Sequence, residues 1–591
     1  MRVQLIDKLF LNLRLIEALE TIQQSRPATL ESFRLALACG FTPLHLATFL
    51  HARVKQSFQD RNVILAETGV YGDLAGNLQR ATKARPDTTA VIMEWPDLDP
   101  RLGVRQLGGW DPKTSGEIVD HTRLSLERIQ TFLANLAEQS PVVVCAATLP
   151  LPPFSYEPGW QAGHAELQLR SSLALFLTQI AELKNVRIVS TQALARLSPE
   201  SERLDVKSEI NAGFAYSMKH AGAVAELLAR LIHSAPPKKG LITDLDDTFW
   251  RGILGEVGIS GIGWDLNHKA HIHGLYQQFL AALAQRGVLV GVVSKNDPKL
   301  VEEAFRDRTD LVAGSASLYP IEAGWGRKSE AVGRVIQAWN IAADSVVFVD
   351  DSPLELEEVK SAHPGIETFR FPTNDPAAAW ELILQLQDLF GKAAVLAEDR
   401  IRLASLRNAD EFSRSAGSGP SEDEFLERTE AQVTVETSPQ SADARTLELL
   451  NKTNQFNLNG RRIEEGEWRR HLSEADTFLL VVSYQDKFGP LGKIAVLTGK
   501  VQTGLLKVTS WVMSCRAFAR RIEYQCLRLL FEWFGAEEVV LDYQSTPRNG
   551  PTTEFLTAIQ SGTLALPVRI GRAEFESRCP RLFHTVVRSP Q

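Results

Sequence analysis

The chain has 591 residues, enough for three or four domains of ordinary size. Hydrophobic residues make up 44% and charged residues 23%, which excludes a disordered or fibrous chain, and the net charge of −8 disfavours a general nucleic-acid binder. The five cysteines form no C-x-x-C pair, so neither a disulfide framework nor a cysteine zinc site is expected. No apolar stretch approaches the roughly 20 residues that cross a bilayer. We therefore expect a cytoplasmic protein with no membrane or nucleic-acid partner.

The N-terminal third carries two kinds of pattern. Residues 1–40 are predicted to be helical, because their leucines recur at helical spacing. From 41 to 235, short β-branched runs alternate with longer helical stretches, which predicts a parallel sheet covered by helices. The predicted strands are 62–65, 90–93, 141–145 and 186–189.

A second alternation begins after a linker at 234–240, where two prolines cannot continue the preceding helix. It spans 240–395 and predicts a second α/β domain that ends with a helix over 377–389. Residues 396–435 are polar and glycine-rich and predict another linker. The remaining residues, 436–591, mix strands and helices, including a helix over 517–533, and predict an α+β domain. The predicted strands after 240 are 240–243, 288–293, 311–314, 345–349, 367–371, 477–483, 493–498, 506–511 and 539–542.

The most informative stretch is LITDLDDTFW at 241–250. An apolar strand there runs into Asp244 and Asp246, which alternation places on one face, and Thr248 follows. Ligands of α/β sheets bind at this carboxyl edge. One carboxylate can attack phosphorus while holding Mg²⁺, and the other can move the proton. A structural alternative is that these residues cap a helix.

Three more polar clusters follow predicted strands in the same domain. Ser294, with Lys295 and Asn296 after it, offers a hydroxyl and amides to a phosphate. Lys328 opens a predicted helix, where a cation can pair with a transferring phosphoryl group. Asp350 and Asp351 add hard oxygen ligands for Mg²⁺. This order of acid pair, serine, lysine and acid pair resembles the haloacid dehalogenase superfamily of phosphotransferases.

Longer motifs narrow the resemblance to the FkbH-like family. They are DLDDTFWRGILGE at 244–256, VSKND at 293–297, FVDDSPLE at 348–355, NKTNQFN at 451–457 and WVMSCR at 511–516. The resemblance implies a glyceryltransferase/phosphatase that takes the glyceryl unit from 1,3-bisphosphoglycerate. It also implies that the unit is loaded as a thioester on an acyl carrier protein in polyketide-type biosynthesis. A simple Mg²⁺-dependent phosphatase of a small metabolite, or a scaffold with degenerate motifs, is the alternative.

The resemblance also implies roles for single residues. Asp244 would be the nucleophile and a metal ligand, and Asp246 would be the acid/base and give its carbonyl to the metal. Thr248, Ser294, Lys295, Asn296 and Lys328 would bind the phosphoryl group. Asp350, with Asp351 behind it, would complete the Mg²⁺ site. Only a short insert separates Asp244 from Ser294, so we expect no large cap domain over the site.

The flanking domains resemble two further modules. Residues 41–235 resemble an SGNH-hydrolase-like domain, but no Gly-Asp-Ser element follows the strand at 62–65 and Ser217 stands three residues before His220, so a non-catalytic role is expected. Residues 436–591 resemble the GNAT acyltransferase fold, but Ala519, Arg520 and Arg521 stand where relatives usually carry Gly-Arg-Gly. There Cys515 would accept the acyl group, because a thiolate near a helix N-terminus and arginines is a good nucleophile.

One cluster in the insert has two interpretations. His268, His271 and His273 stand close together in sequence and could hold a transition metal. The alternative is a solvated loop leading into a helix over 276–285.

Overall fold

A computed structural model describes residues 13–27, 29–68, 70–233, 235–392, 395, 399, 402–404, 406–407, 422–439, 442–502, 504–560 and 564–589. The chain divides into two compact units, Met1–Ala235 with Glu464–Arg469, and Pro236–Ile463 with Arg470–Gln591. The first twelve residues and much of the predicted linker 396–435 lie outside the described residues. Within the described ranges, no helix has both the length and the apolar character needed to cross a membrane.

The first unit contains a five-stranded parallel sheet in the order β2-β1-β3-β4-β5. Helices pack against buried apolar residues on both of its faces. Its strands are β1 (Ser32–Cys39), β2 (Asn62–Thr68), β3 (Thr88–Met93), β4 (Val142–Ala146) and β5 (Val186–Ile188). Its α-helices are Leu15–Gln23, Leu44–Ser57, Leu74–Ala84, Trp95–Leu98, Ser115–Gln139, His164–Ala181, Thr191–Leu197, Val206–Ala212 and Met218–Ile232.

The prediction of helix throughout 1–40 is wrong over β1. The sequence SFRLALAC is rich in leucine and alanine, which favour helices, and its only aromatic residue stands near its start. The segment nevertheless lies between β2 and β3, where six of its eight residues are buried. Burial on both faces of a parallel sheet overrides the weak local preference.

The second unit begins with another five-stranded parallel sheet, in the order β10-β9-β6-β7-β8. Its strands are β6 (Gly240–Thr243), β7 (Leu289–Ser294), β8 (Ile321–Ala323), β9 (Val346–Asp350) and β10 (Glu367–Arg370). Its α-helices are Leu254–Gly261, His271–Gln285, Pro298–Asp307, Lys328–Trp339, Pro353–Ala362 and Pro376–Phe390.

The strand predicted at 311–314 is absent from this sheet. The edge strand is β8 instead, ten residues further along the chain. The backbone N–H of Val312 donates to the side chain of Gln277 at 3.1 Å, so a side chain takes the place of a neighbouring strand there. Two helices, Leu254–Gly261 and His271–Gln285, fill the insert between β6 and β7.

The rest of the second unit forms a mixed sheet in the order β17-β16-β15-β14-β13-β11-β18, with β12 paired to β15. The strands are β11 (Gln432–Glu436), β12 (Phe456–Asn457), β13 (Thr477–Asp486), β14 (Gly489–Gln502), β15 (Leu505–Met513), β16 (Glu538–Leu541), β17 (Val568–Gly571) and β18 (Thr585–Arg588). Its α-helices are Glu422–Glu427, Ala444–Lys452, Ile522–Phe534, Gly550–Ile559 and Arg572–Arg578. The helix Glu465–Ser473 belongs to the first unit as far as Arg469 and to the second unit from Arg470.

The α/β multidomain fold class is therefore confirmed, whereas the domain boundaries and the SGNH-like and GNAT-like assignments stay predictions. The helix predicted over 517–533 begins later, at Ile522. Ala519 and Arg521 have φ values of 61° and 57°, a left-handed conformation that interrupts a helix.

Candidate active site

Three carboxylates meet at the carboxyl edge of the second parallel sheet. Asp244 follows the central strand β6, and Asp350 ends the neighbouring strand β9. The backbone N–H of Asp244 donates to the carbonyl of Val349 at 3.0 Å, which aligns the two strand ends. One oxygen each from Asp244, Asp350 and Asp351 lies within 4.8 Å of the others, close enough to hold one metal ion.

Lys328 lies against two of these carboxylates. It is the first residue of the helix Lys328–Trp339 and is only 5% exposed. Its Nζ lies 2.6 Å from Oδ2 of Asp350 and 3.0 Å from Oδ1 of Asp244. The helix start therefore brings one positive charge to a group of three negative ones.

The electrostatics of the group follow from burial and crowding. Burial raises the pKa of Asp244 to about 7, with Lys328 opposing the rise and Asp350 adding to it. Burial and the neighbouring Asp350 also raise the pKa of Asp351. Burial would lower the pKa of Lys328, but the two carboxylates outweigh it and hold that pKa above its usual range. The site thus has more negative charge than its single lysine balances, as a cation site requires.

Asp246 belongs to a hydrogen-bond network beside the three carboxylates. Its Oδ1 accepts from the indole N–H of Trp250 at 3.0 Å and from the backbone N–H of Leu254 at 3.1 Å. Its Oδ2 accepts from the side-chain amide of Asn296 at 2.9 Å, and the same amide donates to Ser294 Oγ at 3.0 Å. The side chain of Asp246 is therefore held in one orientation and stays outside the three-carboxylate group.

The structure places two other predicted phosphate-binding residues differently. Thr248 is fully buried, and its hydroxyl has no hydrogen-bond partner among the described residues. Lys295 pairs with Oε1 of Glu355 at 2.7 Å and is 40% exposed. The structure therefore brings together Asp244, Lys328, Asp350 and Asp351, with Ser294, Asn296 and Asp246 linked beside them, and it engages Lys295 elsewhere.

A cavity of about 560 Å³ next to the carboxylates contains residues that the sequence patterns did not single out. Asp247 and Asp351 line it together with Arg251 and Arg370. Asp247 has a φ of 52°, and its Oδ1 accepts from the backbone N–H of Gly252 at 2.9 Å. Arg370 ends β10 and pairs in register with Asp350. A basic residue at the end of the adjacent strand was therefore the sequence feature that could have identified Arg370 as part of the site.

The side chain of Cys515 lies outside the described residues. Its backbone starts a short 3₁₀ turn, Cys515–Ala517, directly after β15 and seven residues before the helix Ile522–Phe534. The helix therefore begins five residues later than the sequence predicts, and the role of Cys515 stays a prediction. Arg520 is 3% exposed and pairs with Asp486 at 3.3 Å, while Arg521 pairs with Asp423 at 2.7 Å.

The three histidines of the insert do not gather in one place. His273 is buried, and its Nδ1 lies 2.9 Å from the carbonyl of Thr248. His268 is partly exposed and lies 2.8 Å from Asp265. Among the described residues, the only metal-compatible group of His, Cys, Asp and Glu is the three-aspartate one.

Comparison with solved structures supports the fold of this region. The N-terminal part of protein BF1531 from Bacteroides fragilis, which contains a phosphatase domain and was crystallised with Mg, matches with a TM-score of 0.51 at 21% identity, over 65% of this chain and 100% of that chain. A putative GDSL-like lipase from Parabacteroides merdae matches with a TM-score of 0.23 at 9% identity, over 35% of this chain and 98% of that chain. No family model and no curated protein sequence matches the chain. Over the matched residues, the chain thus has a fold like that of the phosphatase-containing part of BF1531.

Proposed function

We propose that this chain is a Mg²⁺-dependent phosphatase that also transfers a glyceryl unit from 1,3-bisphosphoglycerate to an acyl carrier protein. The phosphatase part is carried by one observation: three carboxylates and a buried lysine meet at the carboxyl edge of a parallel sheet. The similar fold of a phosphatase domain crystallised with Mg supports it. The glyceryl transfer is supported by the sequence motifs of the C-terminal region.

The donor set fits Mg²⁺. Asp244, Asp350 and Asp351 would hold the ion, because hard carboxylate oxygens are its preferred protein ligands. Burial and the charge of Asp350 raise the pKa of Asp244 and Asp351, and a cation held between these carboxylates would favour their charged forms. When bound, Mg²⁺ would supply charge neutralisation of the phosphoryl oxygens.

The chain's own residues would divide the phosphoryl chemistry. A carboxylate oxygen of Asp244 would attack phosphorus, forming an aspartyl phosphate as the bond to the substrate oxygen breaks. Asp246 would give its proton to that oxygen and then take one from the water that hydrolyses the aspartyl phosphate. Trp250 and Asn296 hold the Asp246 carboxyl in place, and Lys328 would pair with the phosphoryl group.

Glyceryl transfer requires two different bonds of 1,3-bisphosphoglycerate to break. Hydrolysis of the acyl phosphate would leave a carboxylate too unreactive to form a thioester. The phosphatase site would therefore act on the phosphate ester, while a thiol attacks the acyl carbon and expels the other phosphate. Cys515 would be that thiol before the carrier's phosphopantetheine takes the acyl group.

The test is incubation of the purified protein with 1,3-bisphosphoglycerate, Mg²⁺ and candidate carrier proteins. Phosphate release is measured together with intact-protein mass spectrometry of enzyme and carrier. Asp244→Asn and removal of the metal by EDTA should each abolish ester hydrolysis. Cys515→Ala should prevent glyceryl loading and spare ester hydrolysis, whereas the control Cys579→Ala should load the carrier normally.

The alternatives predict other results. Phosphate release without any loaded carrier would favour a simple phosphatase of a small metabolite. Absence of phosphate release from every phosphorylated substrate would favour a scaffold. Normal loading by Cys515→Ala would show that acyl transfer proceeds without this cysteine.

A further inference from the structure

A second cavity lies at the opposite edge of the same parallel sheet. Its volume is about 420 Å³, within the usual range for small-molecule sites. Three strands run from this cavity to the phosphatase site. Lys239 precedes β6, Leu289 begins β7 and Ser345 precedes β9, and these three residues line the cavity. The same strands lead to Asp244, Ser294 and Asp350 at their other ends. At ~3.3 Å per residue, Lys239 and Asp244 are about 16 Å apart, so this cavity is separate from the phosphatase site.

The other wall of this cavity comes from the C-terminal part of the second unit. The helix Ala444–Lys452, the loop after it, and the residues that follow β15 contribute to it. These elements carry the two C-terminal motifs, NKTNQFN at 451–457 and WVMSCR at 511–516. Two sequence motifs that the phosphatase chemistry does not use therefore converge on one cavity.

Cations dominate the wall of this cavity. Six basic side chains line it together with one carboxylate, Glu448. Among the described residues, Arg402 also pairs with Asp399 and Arg548 with Asp344, and both of these acids lie outside the wall. The cations still exceed the carboxylates when those partners are included. The six basic residues are Lys239, Arg402, Arg445, Lys452, Arg516 and Arg548.

In the helix Ala444–Lys452, positive charges outnumber negative ones around the single carboxylate of the wall. Glu448 accepts from Arg445 at 2.8 Å and from Lys452 at 2.9 Å. Burial would raise the pKa of Glu448, but Arg445, Lys452 and Arg402 outweigh it and hold the pKa of this carboxyl well below its usual range. Burial and the nearby Arg548 also lower the pKa of Arg462. One carboxylate thus faces several cations at once.

Two polar atoms at the wall have unused hydrogen-bonding capacity. Arg445 is 7% exposed, and its Nε has no hydrogen-bond partner among the described residues. Oε1 of Gln455 likewise has none in that part of the chain, while its Nε2 donates to Asn340 at 2.9 Å. A buried guanidinium N–H without a partner is costly unless a ligand accepts from it. The remaining wall includes apolar side chains such as Trp339, Leu449 and Met513.

We propose that this cavity binds an organic phosphate, with its phosphate against Arg445, Lys452 and Arg548 and its organic part along the apolar wall. Arginines favour phosphate because their planar donors match its oxygens. This cavity is separate from the phosphatase site, because the two lie at opposite edges of the sheet, but the choice of its two candidate ligands rests on the proposed glyceryl transfer. The phosphate has two possible sources, a small three-carbon phosphate or the phosphopantetheine arm of a carrier.

The test is calorimetric titration of the full-length Asp244→Asn protein in EDTA, which silences the phosphatase site. The probes are 3-phosphoglycerate, 4′-phosphopantetheine and pantetheine without phosphate. We expect a phosphorylated probe to bind at least tenfold more tightly than pantetheine. Arg548→Met, at a half-exposed position that tolerates substitution, and Arg445→Met should each weaken that binding about tenfold, and the distant control Arg569→Met should not.

The two phosphorylated probes identify the source. Tighter binding of 4′-phosphopantetheine assigns the cavity to a carrier arm, and tighter binding of 3-phosphoglycerate assigns it to a small substrate. Equal binding of pantetheine and its phosphate overturns the proposal, as does wild-type affinity in both arginine variants. Because binding is measured without phosphatase turnover, either proposal can fail while the other holds.

Discussion

The central strand of each five-stranded parallel sheet is followed by a buried carboxylate, Glu94 after β3 and Asp244 after β6. The described hydrogen-bond donors to the Glu94 side chain are all uncharged, although the nearby buried carboxyl of Asp97 also interacts with it. Its Oε2 accepts from the backbone N–H groups of Thr148 and Leu149 at 2.8 and 3.0 Å, and its Oε1 accepts from the hydroxyls of Tyr216 at 2.6 Å and Thr148. Around Asp244 the neighbours are two more carboxylates and one lysine.

The network of Glu94 continues to a neutral histidine. His220 Nε2 lies 2.8 Å from Thr148 Oγ1, and His220 Nδ1 lies 3.0 Å from Ser198 Oγ. Each of these three residues is at least nine-tenths buried, as are Asp244 and Asp350, so the two sites differ in their neighbours and not in their burial. The topology of a parallel sheet thus places acids at this edge, while their neighbours decide whether they are structural or bind a cation.

The largest expected effect is the loss of phosphate release when one carboxylate of the proposed cation site is neutralised. Asp350→Asn keeps the shape of the side chain but removes one of three like charges. We expect phosphate release to fall roughly a thousandfold. The free energy of unfolding should change by less than ~1.5 kcal/mol, because relief of repulsion offsets the weaker pairing with Lys328. Steady-state phosphate assays and urea denaturation measure the two quantities. The control Asp307→Asn, at an exposed position, should alter neither, and wild-type activity in Asp350→Asn would contradict the assignment.

The next largest effect concerns Glu94, the carboxylate held by uncharged hydrogen-bond donors. Glu94→Gln leaves one oxygen and one NH₂ group where four donors converge, so some of those donors lose their acceptor. We expect the free energy of unfolding of the first unit to fall by about 2–4 kcal/mol, since each unsatisfied buried group costs about 1–3 kcal/mol. Phosphate release by the folded protein should not change. The exposed control Glu138→Gln should shift stability by less than ~0.5 kcal/mol. A large loss of phosphate release in Glu94→Gln with an unchanged free energy of unfolding would contradict the structural role of Glu94.

The sequence predicted many of the strands in which β-branched residues form a short run, but it missed β11 and β18, whose sequences are QVTVE and TVVR. The prediction for β6 has the observed bounds, and those for β4, β7, β9 and β16 differ by only one or two residues. It missed β1, because an alanine- and leucine-rich strand buried on both faces has the composition of a helix. Such a strand is specified by its neighbours in the sheet, which are far away in sequence.

For the site, spacing after strands identified the acids and Lys328, which the structure brings together. Spacing could not identify which side chains hydrogen-bond to these acids or line the neighbouring cavity. Trp250 and Asn296 orient Asp246 through single hydrogen bonds, and Arg370 reaches the cavity from another strand end. These contacts depend on side-chain direction, which a strand's period does not fix once the chain turns into a loop.

A smaller effect follows from the titration of His220. Burial lowers the pKa of His220 to about 3, from about 6.5 when it is exposed. Because the unfolded chain binds the proton more readily, stability is complete above pH 6.5 and is lost as the pH falls towards 3. Between pH 6.5 and 5.5 we expect His220 to account for a loss of about 1 kcal/mol. Urea denaturation of the wild type and His220→Gln at both pH values isolates this contribution. Equal pH slopes in the two proteins would show that His220 titrates normally.

The smallest expected effect is that of Lys295, which the sequence grouped with Lys328 as a phosphate-binding lysine. Lys328 is buried between Asp244 and Asp350, whereas Lys295 pairs with Glu355 and is 40% exposed. A partly exposed ion pair contributes about 0–1 kcal/mol, and its loss moves no group of the carboxylate cluster. We therefore expect Lys295→Met to change the rate of phosphate release by less than about threefold and Lys328→Met to reduce it at least a hundredfold. Kinetics at saturating and limiting substrate test both variants side by side. A loss in Lys295→Met as large as that in Lys328→Met would mean that Lys295 leaves Glu355 to bind the phosphoryl group.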